Sequence, residues 1–192
     1  MSVNTATNAS SSKRVLVLFG SPHKDGPTKK LLDAFLDELD QPDVQMVDAF
    51  AGTIRPCNDC GACKTQTNCV IEDGLVQKIE WADFIVVASP VYFLSFPAPL
   101  KQIVDRFQVF FSRRFVHGMR PTMARAKKGV LLACSGSEDD RGFTIMKQQL
   151  MMAFSVMHTA FVGSVCLSGT DQNGFCMQRV SDQIERLVCK IS

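Results

Sequence analysis

The sequence predicts a doubly wound α/β fold: five parallel strands in the order 2-1-3-4-5, with helices on both faces. Two observations carry that expectation. Short β-rich runs alternate with helical segments along the whole chain, the pattern of a parallel sheet wound through crossover helices. Several of those runs end in Gly-, Ser- or Pro-containing loops, where a sheet of this order collects its ligand. In order, "RVLVLFG" (14–20) reads as a buried strand. Leu31, Leu32, Phe35, Leu36 and Leu39 mark one face of a helix over 29–40. "VQMVDAF" (44–50) alternates as a second strand, and a long cysteine-rich connection follows. A short helix (74–82) leads to a third strand, "DFIVVASP" (83–90), buried on both faces. Leu100, Ile103, Val104, Phe107, Phe110 and Phe111 predict one helix over 98–114. Strand four is 128–136, a helix spans 143–157, strand five is 159–168, and a last helix covers 178–191.

The chain has 192 residues, 46% hydrophobic and 21% charged. It is long enough to bury a core without covalent staples, so its eight cysteines are not needed for folding. A net charge of +2 lacks the basic footprint of a nucleic-acid binder. The opening "MSVNTATNASSSKR" has no apolar signal region, and no apolar run reaches the roughly 18 residues of a membrane span. We therefore expect a disordered tail over 1–12, one domain over 13–192, no membrane partner and a cytoplasmic location. In a reducing compartment, clustered cysteines point to metal or redox chemistry.

Three loops follow strands one, three and four. "GSPHKDGPT" (20–28) combines small residues, hydroxyls at Ser21 and Thr28, and two side chains able to carry positive charge, His23 and Lys24, just before a helix. Amides at a helix N-terminus, hydroxyl donors and positive charge are what a phosphate needs; a plain capped turn is the other use of such a loop. It is neither a Walker loop nor a G-x-G-x-x-G fingerprint. "SPVYFLSFPAP" (89–99) offers the aromatic faces of Tyr92 and Phe93, and its prolines keep the backbone out of helix. "CSGSEDDRGF" (134–143) has Ser135, Gly136 and Ser137, small enough for close approach to a flat ligand. Together the loops suit a mononucleotide.

"CNDCGACKTQTNC" (57–69) carries Cys57, Cys60, Cys63 and Cys69. Four thiolates at short spacing, with Gly61 to turn the chain, can wrap a [4Fe–4S] cluster. They also suit tetrahedral zinc, although zinc sites more often pair two knuckles across a longer gap. Unliganded thiols are the third reading.

These segments resemble the flavodoxin-like NADPH-dependent FMN reductase family. "GSPHKDGPT" is similar to its G-S-P-R-x-x-G-N-T phosphate loop, with His23 in place of Arg and Pro27 in place of Asn. "ADFIVVASPVYFLSFPAPLKQIVDR" (82–106) resembles its segment containing S/T-P-V-Y and L-K-x-x-x-D-R. "PCNDCGACKTQTNCVIEDGL" resembles the stretch that marks its iron–sulfur flavoprotein branch, with Asp73 and Gly74 where the pattern has two acids. The resemblance implies FMN held by Ser21, His23 and Thr28 at the phosphate, by Pro90, Val91, Tyr92 and Phe93 along the ring, and by Ser135 and Gly136 in the third loop. It also implies NAD(P)H as electron donor, a quinone, flavin or other small acceptor, and a homodimer or homotetramer. On the same basis Cys57, Cys60, Cys63 and Cys69 are candidate cluster ligands. The alternative function is a flavin and cluster module relaying electrons between proteins.

Cys134, Cys166 and Cys189 read as buried packing, and Cys176 is unassigned. The cations of 112–128 (Arg113, Arg114, His117, Arg120, Arg125, Lys127 and Lys128) read as a solvated connection. Trp81 and the Met-rich helix read as core or subunit contacts.

Overall fold

A computed structural model describes residues 13–119 and 126–191. The tail expected over 1–12 lies outside them, as do Arg120 and Arg125. The strands are β1 (Arg14–Phe19), β2 (Asp43–Asp48), β3 (Phe84–Pro90), β4 (Lys127–Cys134) and β5 (Thr159–Leu167). They form one sheet in the order β2-β1-β3-β4-β5, every pairing parallel. The helices are α1 (Pro27–Asp37), α2 (Ala62–Thr65), α3 (Leu75–Trp81), α4 (Ala98–Asp105), α5 (Gln108–Phe115), α6 (Arg141–Val156), α7 (Thr170–Asn173) and α8 (Ser181–Ile191).

Strand alternation divides the core in two. Val15, Val17 and Phe19 of β1, with Val86, Val130 and Leu132, pack against Leu31, Leu32 and Phe35 of α1 and Ile184 and Leu187 of α8. Leu16 and Leu18, with Ile85, Val87 and Leu131, face α3, α4, α5 and α6 on the other side. The central strands are buried on both faces, which is why they read as unbroken apolar runs. The edge strands β2 and β5 show mixed exposure.

Four departures have physical causes. The single helix expected over 98–114 is broken between α4 and α5, where the amides of Arg106 and Phe107 bond the carbonyls of Ile103 and Val104 in tighter, three-residue steps. Strand four ends at Cys134, because Ser135 already turns to bond the β5 end: its amide donates to the Leu167 carbonyl at 2.9 Å. The last helix begins at Ser181 after a short 3-10 turn, Met177–Arg179. Cys189 is exposed rather than packed, since α8 turns Ile184, Leu187 and Ile191 inward and leaves Cys189 off that face.

Lys127 corrects the solvated reading of its segment. It is 7% exposed, and its Nζ donates to the carbonyls of Ile79 at 2.7 Å, Glu80 at 3.0 Å and Ala82. A cation thus closes the C-terminal end of α3, where carbonyls lack helical partners. Burial pushes its pKa down to about 8. Lys127→Met should lower stability by about 1–3 kcal/mol, as expected for orphaned buried carbonyls, with α3 fraying first; amide exchange over 75–82 reads it.

Candidate functional site

The three loops and the cysteine connection follow β1, β3, β4 and β2, so all leave the carboxyl edge of the sheet. In the first loop Ser21 is buried, its Oγ accepting from the His23 amide at 3.2 Å. Gly26 caps α1 with no side-chain bond, and Pro27 occupies its first turn. Pro27 has no N–H to give, and the amides of Lys24, Asp25 and Thr28 have no acceptor among the described residues. His23 is exposed, and Thr28 is buried beside the Cys134 thiol. Lys24 is not free for a ligand: its Nζ bonds Asp48 at 2.5 Å and the Ser21 carbonyl at 3.2 Å. Donors at the start of an 11-residue helix with no side-chain cap fit a phosphate.

In the second loop the Ser89 hydroxyl donates to the Pro90 carbonyl at 2.7 Å, and the Val91 amide donates to the Cys134 carbonyl at 2.8 Å. Tyr92 and Ser95 then exchange two backbone bonds of 2.9 Å each. Between them Phe93 and Leu94 both take positive φ, 49° and 64°. A tight turn of that kind favours glycine or asparagine, so two bulky residues there are strained. The turn leaves Phe93 104% exposed, with Tyr92 half-exposed behind it.

The third loop is partly committed to itself. Gly136 is needed because a Cβ there would meet Asp171 Oδ2 at 2.3 Å. The Ser135 carbonyl accepts from the Thr170 amide and hydroxyl, at 3.0 and 3.1 Å. Gly136 therefore serves packing against α7 as well as any ligand approach. Among the described residues, the amides of Phe93, Leu94, Gly136 and Ser137 have no acceptor. Cys134, under these loops, is buried, and burial pushes its thiol up to about 12, so it is inert at neutral pH.

Cys57, Cys60, Cys63 and Cys69 all line one cavity of about 230 Å³. Asp59 and Gly61 take positive φ, 49° and 74°, which folds the loop around it. Cys57 and Cys60 are exposed, whereas Cys63 and Cys69 pack against the core. Among the described residues no group of three His, Cys, Asp or Glu converges closely enough for a single ion. Four thiols are the number that either a [4Fe–4S] cluster or a tetrahedral ion takes.

Helix α5 grips this loop from outside. Arg113 donates to the Thr67 carbonyl and to Asn68 Oδ1, both at 2.7 Å, and pairs with Glu80 at 2.5 Å. The Ser112 hydroxyl donates to Cys63 Sγ at 3.3 Å, and His117 Nε2 lies 2.9 Å from the Cys63 carbonyl. At the loop's neck Arg106, 2% exposed, pairs with Asp73 at 2.6 and 3.2 Å. It also donates to the carbonyls of Arg55 at 2.8 Å and Ile71 at 3.2 Å. Burial would raise the Asp73 pKa, but bonds from Arg106 and from the Arg55 and Leu75 amides hold it below the usual carboxylate range. Gly74, at φ 78°, starts α3 in a left-handed conformation that an acid there would strain.

Sequence reasoning missed Arg106, Asp73, Ser112, Arg113 and His117 as residues of this site. One signal was available for Arg106: it lies three residues after Ile103 and four before Phe110, a cation on an apolar helix face.

The model of the NADPH-dependent FMN reductase family matches residues 13–173. The chain belongs to this family. As an FMN reductase family member it is similar to the iron-sulfur flavoprotein of Archaeoglobus fulgidus, 33% identical over 124 residues, 62% of this chain and 53% of that one. It is also similar to the iron-sulfur flavoprotein of Methanosarcina thermophila, 30% identical over 131 residues, 66% of this chain and 65% of that one. The matched region thus spans about half to two thirds of those relatives' length. Its fold is that of an FMN-dependent NADH-azoreductase from Bacillus anthracis, with a TM-score of 0.64 and 12% identity, covering 93% of this chain and 99% of that one. Among the described residues no helix is long and apolar enough to cross a membrane.

Proposed function

We propose that this FMN reductase family member takes electrons from NAD(P)H through FMN and passes them to a quinone, a flavin or another small acceptor. The observation that carries this is the family match over the whole sheet and its three loops. Bound FMN would supply the hydride and single-electron chemistry. The protein's part is to bind and orient. Ser21, His23, Thr28 and the free α1 amides would hold the phosphate. Pro90, Val91, Tyr92 and Phe93 would run along the ring, and the free amides of Phe93, Leu94, Gly136 and Ser137 would face its polar edge, with Ser135 behind them. With Pro27 giving no N–H and Lys24 engaged by Asp48, His23 is the basic side chain of the loop left to approach the phosphate. The homodimer or homotetramer implied by the resemblance would place a second copy over the exposed Phe93.

A second reading is favoured by the cavity that Cys57, Cys60, Cys63 and Cys69 share. There an iron–sulfur cluster would stand beside FMN, and the protein would relay single electrons between protein partners. The curated relatives, named as iron-sulfur flavoproteins, support the cluster.

The test is anaerobic purification followed by visible spectroscopy, iron, zinc and flavin assays, and NAD(P)H oxidation with a quinone acceptor. We expect about one flavin and about four irons per chain, and acceptor-dependent turnover. Flavin with turnover but no metal would retain the enzyme and remove the relay. A colourless protein that takes up no FMN would sink both.

A further inference from the structure

We propose that Arg106 sets the charge of the cysteine site: its Nε–H is the donor to the anionic metal–thiolate group held by Cys69 and its partners, and it fixes that group's reduction potential. The inference deepens the cluster reading above and rests on it.

Arg106 is buried and lines the cavity shared by the four cysteines. Its Nη atoms are engaged by Asp73, Arg55 and Ile71. Its Nε is the only buried side-chain nitrogen or oxygen without a partner among the described residues. A buried N–H left unbonded costs free energy, and it is far costlier when it belongs to a cation. The Arg106 guanidinium and the Cys69 thiol line the same cavity. The bidentate grip of Asp73 on the Nη atoms fixes the plane of the guanidinium, so the direction of Nε is fixed too. Asp73 and Arg106 cancel one another at the neck, but Arg106 is the partner that reaches the cavity. A group of four thiolates around iron is anionic, and one-electron reduction adds one more negative charge. A buried cation donating a hydrogen bond favours the reduced form, because in a low-dielectric site its charge is little screened. Arg106 is thus a positioning and potential-setting residue, not a ligand.

Two variants test this in the full chain purified without oxygen. Arg106→Lys keeps the positive charge beside Asp73 but removes Nε–H. Arg106→Met combined with Asp73→Asn removes both charges together, so no buried charge is left unpaired. Each is assayed for fold by circular dichroism, for iron and flavin content, and for cluster potential by dithionite titration followed by electron paramagnetic resonance. We expect both variants to fold and bind flavin, and the cluster's reduction equilibrium to shift about tenfold toward the oxidised form, about 59 mV for one electron. The flavin potential should move less than the cluster potential. Full iron with an unchanged cluster potential in either folded variant overturns the inference alone. Wild-type protein that takes up no iron overturns it together with the cluster reading.

Discussion

Asp73→Asn should lower stability by about 3–5 kcal/mol, the usual effect of stranding one charge of a buried pair. Arg106 would keep its charge, because a guanidinium does not deprotonate in proteins, and it would lose its two bonds to a carboxylate. The damage should centre on the neck of the cysteine loop, where Asp73 also accepts from the Arg55 amide at 3.1 Å and the Leu75 amide at 3.3 Å. Urea unfolding at neutral pH measures it. The pH dependence has a fixed sign. The folded-state pKa of Asp73 lies below its ordinary value of 3.8, so its contribution is complete above that value. It fades as pH falls through the folded pKa, since the unfolded chain takes up the proton first. The gap between wild type and Asp73→Asn should therefore narrow in acid. A gap of equal size at pH 7 and near pH 2 would show that the carboxylate charge is not what holds the neck.

Gly20→Ala should damage packing and ligand binding together. Gly20 directly follows β1, its amide bonded to the Ala88 carbonyl at 2.8 Å, so it cannot step aside. A Cβ there would stand 2.4 Å from Leu100 Cδ2 and 2.9 Å from Leu100 Cβ. Leu100 is fully buried on α4, and its Cβ moves only if the helix moves. Overpacking of this kind typically lowers stability by about 1–3 kcal/mol. Shifting α4 also displaces the loops on either side of the contact, 20–26 and 91–97. FMN affinity should fall at least about tenfold, or ~1.4 kcal/mol, read by flavin fluorescence quenching. Wild-type melting and wild-type flavin affinity in this variant would mean that α4 is free to adjust.

The sheet was legible because its central strands are apolar on both faces, and Val15–Phe19 or Phe84–Ala88 can be little else at that length. The parallel pairing followed from the alternation with helices, and the order from the count of five strands. The three loops were legible as positions, because they follow strands at the carboxyl edge, but not in their internal use. Nothing in "CSGSEDDRGF" announces that Gly136 makes room for Asp171, a residue 35 positions later. The helix break at Arg106 was hidden for a similar reason. The apolar spacing of Leu100, Ile103, Phe107 and Phe110 continues through it, while the break itself lies in backbone bonds that shorten to three-residue steps. Lys127 shows the same limit: a lysine in a basic stretch reads as solvated until three carbonyls of another helix are seen around it.

The grip of α5 and Arg106 on the cysteine loop has a consequence for how the protein ages. The atoms that fasten the loop by hydrogen bonds are chiefly carbonyl oxygens, an asparagine amide and two carboxylates; among these bonds of the described residues, sulfur takes part only where Ser112 meets Cys63. Oxidative damage to the thiols would thus leave the loop's tether in place. Damage and repair could succeed one another on a scaffold that keeps its shape, unlike small zinc domains whose fold is lost with their metal.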